Sequence, residues 1–129
     1  MSFVKINLKD AKEPMPVPEG EYDVRVVKVM DTETKKKDPM TVVTLRVEDP
    51  TWPNAAPIQE FITYPNGGQY DDLRALQLRR FLELFEVPYD ENGFDSADMM
   101  GKTARCFLNQ EEGDDGVLRN KMKLPRIKE

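Results

Sequence analysis

Histidine is absent from this sequence, and cysteine occurs once, at Cys106. The first absence removes the commonest general base, the usual zinc ligand and any histidine-based triad. The second removes an intrachain disulfide, and with it any need for an oxidising compartment. No stretch approaches the roughly 20 apolar residues that span a bilayer, so no membrane partner is expected. The opening, MSFVKINLKDAKE, lacks a signal peptide's apolar core. Catalytic signatures are missing too. There is no Gly-rich phosphate loop of the Walker type, and no paired carboxylates stand at informative positions. Cys106 alternates with Ala104 and Leu108, the pattern of a small core residue rather than a nucleophile. The chain is therefore expected not to be an enzyme and to use no cofactor. Its net charge of −5 argues against indiscriminate coating of nucleic acid, but leaves room for a local basic groove.

What is present is β-patterned. The 129 residues suffice for one domain with one core. They are organised around PVPEGEYDVRVVKVM, Pro16 to Met30. Pro16, Pro18 and Gly20 stop whatever precedes them. Tyr22, Val24 and Val26 then alternate with Asp23 and Arg25, while Val27 and Val29 continue on the opposite parity. Alternation marks a half-buried strand, and the change of parity predicts a β-bulge inside it. Residues 1–18, with Phe3, Val4, Ile6 and Leu8, read as an arm whose apolar side chains pack on the body. A mobile tail is the alternative.

The first strand is expected over Glu21–Met30 and the second over Met40–Glu48, joined by the polar link DTETKKKDP. DPTWPNAAP, Asp49–Pro57, is a loop. The third strand is Ile58–Tyr64, closed by Pro65, Asn66, Gly67 and Gly68. Asp71–Glu86 is the one clear helix, with Asp71 or Asp72 at its start. Leu73, Leu78, Phe81, Leu82, Leu84 and Phe85 fall in one broad arc, and Pro88 bars continuation. Asp95–Met100 reads as a single turn capped by Asp95 and ended by Gly101. The fourth and fifth strands are Lys102–Gln110 and Val117–Leu124, separated by EEGDDG.

Three strands, a helix, then two strands is the layout of a five-stranded Greek-key barrel, the OB-fold, with the helix plugging one end. An open α+β sheet with the helix on one face is the competing architecture. OB-folds bind single-stranded nucleic acid by stacking bases on exposed aromatics within a basic groove.

The PEGEYDV opening, the KKKDPM link, the LRRFLELFEVP helix, the MMGK step and the closing RNKMKLPRI resemble a family of small tailed-phage proteins. The likeness covers about residues 16–127. It implies an OB-fold protein that binds single-stranded DNA during phage replication or recombination, in the cytoplasm of the infected host cell. Many single-strand binding proteins end in an acidic tail that recruits partners. This chain ends KLPRIKE, so recruitment of that kind is not expected.

Candidate binding residues follow from strand faces. Arg119, Lys121 and Lys123 alternate on the last strand, at about 7 Å spacing, near the repeat of a nucleic-acid backbone. Arg126 and Lys128 extend this basic end. Arg105 and Phe107 point away from the presumed core, which suits phosphate contact beside base stacking. Lys35, Lys36 and Lys37 sit in the loop that often clasps ligand in OB-folds. Arg25 and Arg46 lie opposite the apolar faces. Trp52 and Tyr64 are candidate stacking platforms. Each has a plainer alternative: solvated lysines blunting an edge, surface salt bridges to Asp23 or Glu48, or aromatics folded onto the body. The acidic turn Glu111, Glu112, Asp114 and Asp115 would repel phosphate, and its spacing is not that of an EF-hand loop. The rival function is an OB-like adaptor that binds a phage replication or recombination protein and no DNA. A virion component is a third, and edge pairing into a homodimer stays open.

Overall fold

A computed structural model describes residues 2–127. Five strands form one antiparallel sheet in the order β3-β2-β1-β4-β5. They are β1, Gly20–Glu33; β2, Pro39–Val47; β3, Ile58–Thr63; β4, Thr103–Glu112; and β5, Leu118–Lys123. The helix α1, Asp71–Leu84, follows β3, and a 3-10 turn at Ser96–Met99 precedes β4. Lys128 lies outside the described residues.

The long first strand organises the sheet as its parity predicts. The pairing with β2 shifts between Val26 and Lys28, leaving Val27 as the extra residue. Before the bulge, Tyr22, Val24 and Val26 are buried; after it, Val29 turns inward and Lys28 and Met30 turn out. The bulge backbone is satisfied locally. Val26 N donates to Lys102 O at 2.9 Å, and Gly101 N donates to Val26 O at 3.0 Å. Gly101 does this at φ +80°, a conformation that costs glycine nothing. β1 also runs three residues further than its sequence signals, into the polar link. Only Thr34–Asp38 remains as a tight turn, closed by Thr34 N donating to Asp38 O at 2.8 Å.

The sheet rolls but is not closed, so the expected closed barrel is not met. β3 and β5 approach each other, yet the ladder pairs β3 only with β2 and β5 only with β4. At one end the chain itself lies between the two sides. Met15 bridges to Ala55 in parallel fashion, and Val17 exchanges hydrogen bonds with the Asn120 side chain.

The core lies inside the roll. Val24, Val26, Val43, Leu45 and Leu108 from the strands meet Phe81 and Leu82 of α1, Phe85 at its C-terminal cap and Met99 of the 3-10 turn. Thr41 is the one buried polar residue among those described. Its hydroxyl donates to Asp31 Oδ1 at 2.8 Å, and Asp31 Oδ2 accepts from Ser96 Oγ at 2.9 Å.

Three local expectations change. Asp71 does not cap α1; Tyr70 occupies that position without a side-chain bond. The Asp71 carboxylate instead accepts from Asn66 N at 2.9 Å and Gly67 N at 2.8 Å, locking the turn ahead of the helix. Those backbone donors, Asn66 N foremost, stabilise the charged form and hold the Asp71 pKa below the usual carboxylate range. The helix stops two residues early because Glu86 turns left-handed at φ 54°. The N-terminal arm is not packed on the body: Phe3 is 95% exposed, and Val4, Ile6 and Leu8 are also exposed. Burial begins only at Val17, where hydrogen bonds to Asn120 tie the chain down. As expected, Asp95 caps the 3-10 turn, accepting from Ala97 N at 2.9 Å.

Candidate nucleic-acid interface

Strand parity sorts the candidates before any contact is considered. On β4, Cys106 and Leu108 are buried, so Arg105 and Phe107 face out; Phe107 is 40% exposed. The antiparallel register then sets its neighbours. Phe107 stands opposite Glu21 on β1 and Lys123 on β5. Arg105 stands opposite Asp23, and Arg25 on β1 stands opposite Arg46 on β2. A continuous outward band therefore runs Arg46, Arg25, Arg105, Phe107, Lys123. Arg119 and Lys121 continue it along β5, and all three β5 cations are exposed as alternation predicts.

Much of this charge is already matched. Arg25 Nε pairs with Glu48 and its Nη1 donates to Gly101 O at 3.1 Å. Arg105 lies 3.7 Å from Glu21 and 3.4 Å from Asp23. Arg119 grips Asp115 through two bonds, at 3.2 and 2.7 Å, and Lys121 sits 3.8 Å from Glu111. The Arg119 hydrogen bond brings Asp115 down to about 2. All these pairs are solvent-exposed, where an ion pair contributes only about 0–1 kcal/mol and exchanges readily for another anion. Arg46 and Lys123 have no ion pair among the described residues. The acidic turn does not swing away: Glu111 and Glu112 share a surface depression with Phe61, Arg119 and Lys121.

The remaining candidates are separated from that band. Lys35, Lys36 and Lys37 are exposed at the far end of the β1–β2 hairpin. That is roughly 40 Å of extended chain beyond the residue opposite Phe107. Lys35 and Lys36 instead line a separate depression with Tyr64, Asn66 and Arg74. Tyr64 is half-buried. Its hydroxyl shares a 2.6 Å hydrogen bond with Thr41, and its ring lies 6.2 Å from that of Phe94, so it serves the fold. Trp52 stands at the opposite end of β2 from the lysine turn, in a loop where its carbonyl accepts from Ala55 N at 3.2 Å.

Phe61 was not among the sequence candidates and is the most exposed aromatic on the sheet, at 59%. Met30, Val42 and Phe61 align across β1, β2 and β3 on the outer face. Val42 is buried beneath its two neighbours although it lies outside the main core cluster. The signal was present: Ile58 and Ile62 share one parity and Phe61 holds the other.

Cys106 is buried, and burial, aided by Glu60, Asp23 and Glu21, raises its thiol to about 11. It is therefore almost wholly a neutral thiol at pH 8 and a poor nucleophile. Ellman's reagent should modify it much more slowly in the native protein than in denaturant; equal rates would mean the β4 inner face is open to solvent. Among the described residues no three potential ligands gather in a way that holds a metal ion, and no helix is long and apolar enough to cross a membrane. Comparison with protein-family models and with curated proteins finds no match.

Proposed function

We propose that this chain binds single-stranded DNA without catalysing a reaction on it, using the outward band centred on Phe107. The observation that carries this reading is the setting of that ring. A flat aromatic face is held out on a rigid strand, with Arg105 two residues before it and Lys123 directly across the ladder. Stacking on such a ring tolerates any base, while flanking cations track the phosphates. The rolled sheet is read as an OB-like barrel open at one seam, whose order β3-β2-β1-β4-β5 brings the barrel's closing strands to its two edges. The resemblance to tailed-phage proteins supplies the setting, replication or recombination of phage DNA in the host cytoplasm.

The test is fluorescence anisotropy of a labelled poly-dT oligonucleotide at low and moderate salt, with duplex DNA of equal length as control. Tight binding to the single strand alone is expected, with affinity falling as salt rises by a log–log slope of about −0.7 per phosphate contacted. No binding at low salt would overturn the reading. The adaptor reading then takes its place, favoured by the acidic partners of Arg25, Arg105, Arg119 and Lys121. It predicts a stable complex with another replication or recombination protein.

A further inference from the structure

We propose that the groove between α1 and the edges of β3 and β5 binds a nucleotide, its phosphate on Arg80 and Arg74 and its base against Phe61. If the nucleotide belongs to a bound strand, the proposal rests on the DNA-binding reading; if it is free in solution, it does not.

The groove has a volume of about 510 Å³, within the range of small-ligand sites. Ile62, Phe81 and Met122 give it apolar walls. Three cations, Arg74, Arg80 and Lys121, line it against a single carboxylate, Glu60. Burial raises the Glu60 pKa, which lessens the negative charge set against those cations, while the charge of Lys121 acts in the opposite sense. The balance of charge in the groove favours an anion.

Arg80 carries the argument furthest. Its Nε is buried, and no hydrogen bond or ion pair reaches its guanidinium among the described residues. A donor shielded from water without an acceptor is costly, and a phosphate matches the guanidinium fork with two parallel N–H···O bonds. Arg74 lies six residues earlier on the same helix, about 9 Å along its axis, a span that two long side chains can close. Its Nη1 donates to Tyr64 O over a long 3.4 Å. Asp71 acts on Arg74 electrostatically, but that carboxylate is already held by Asn66 N and Gly67 N. Lys121 pairs at 3.8 Å with Glu111 on the exposed surface, where one anion readily replaces another.

The base has a platform as well. Phe61 is exposed on β3 and forms part of the groove wall, and Tyr70 stands exposed where α1 begins. An aromatic face beside cations stacks any base. A phosphate carrying a flat ring accounts for both the cations and the exposed Phe61; a simple anion accounts only for the cations. The groove is also continuous with the outward band. Phe61, Glu60 and Lys121 border both the groove and the neighbouring depression that holds Arg119. A strand leaving Phe107 along the β5 cations meets the groove next.

Isothermal titration calorimetry of the full chain with thymidine monophosphate (dTMP), thymidine and inorganic phosphate tests this, alongside anisotropy of labelled poly-dT. dTMP should bind more tightly than thymidine or phosphate. Arg80→Gln should weaken nucleotide binding by about 10- to 150-fold, the loss of hydrogen bonds to a charged group. Its melting temperature should hold, because that guanidinium bonds to nothing among the described residues. Phe61→Ala, with its side chain exposed, should also weaken dTMP and carries the same test should Arg80→Gln not fold; Phe107→Ala should leave dTMP binding unchanged. The oligonucleotide identifies the source. Poly-dT affinity falls in Arg80→Gln if the groove takes a nucleotide of the strand, and stays the same if it takes free nucleotide. dTMP binding without poly-dT binding keeps the groove and removes the Phe107 reading. Poly-dT binding that is lost in Phe107→Ala but not in Arg80→Gln, with no heat from dTMP, overturns the groove and keeps Phe107. Thymidine or phosphate binding as tightly as dTMP would also overturn the proposal.

Discussion

Phe107→Ala should weaken binding to an unstructured oligonucleotide by about 1–3 kcal/mol, the usual contribution of one base–aromatic stack. That is roughly a 5- to 150-fold rise in Kd. The melting temperature should barely move. Phe107 stands on the outer face at 40% exposure, with Cys106 and Leu108 filling the core on either side of it in sequence. Truncating it therefore leaves no internal cavity. Phe107→Tyr keeps the π face and should retain most of the affinity. Anisotropy titrations of the three proteins at one salt concentration check this. An alanine variant that binds as tightly as the parent would remove the ring from the interface. One that unfolds would make it part of the fold.

Phe81→Ala should destabilise the protein by about 3–5 kcal/mol, the range for emptying a buried aromatic site. Phe81 is 1% exposed, and its ring centroid lies 4.7 Å from that of Phe85 in a tilted pair. It docks α1 against the open side of the sheet, where no strand ladder supports the core. Total stabilities of domains this size are about 5–15 kcal/mol, so the loss would be a large fraction of the whole. Urea titration should show a lower midpoint with an unchanged slope, because the surface exposed on unfolding is nearly the same. A loss below about 1 kcal/mol would mean that α1 is not seated on the sheet as described.

The two residues illustrate different degrees of legibility. Phe107 was readable from alternation alone, because Ala104, Cys106 and Leu108 define one face and leave Phe107 on the other. Phe81 was readable from the helical arc that also contains Leu82 and Phe85. Leu73 belongs to the same arc yet is exposed, since the first turns of α1 overhang the open groove instead of a closed barrel. Asp71 shows the limit of a local rule. An acid at a helix start has two sets of backbone donors within reach, and here the turn at Asn66 and Gly67 took it. Phe61 is legible by the same rule, since Ile58 and Ile62 mark the inner parity of β3 and leave Phe61 on the outer one.

The sequence by itself determined the order of elements, the bulge in β1, the inner and outer faces of β4 and β5, and the single-turn stop at Gly101. These depend on periodicity and on residues with strong backbone preferences, which act over a few positions. Closure of the sheet, exposure of the arm and the neutralisation of the outward cations were decided only in three dimensions. Each depends on which distant segments meet: Val17 with Asn120 across the seam, Arg105 with Glu21 and Asp23 across the ladder, and Phe61 with the far edge at Lys121. Alternation names a face but not its neighbours. Only the register and curl of the sheet bring opposite charges together and leave an edge without a partner.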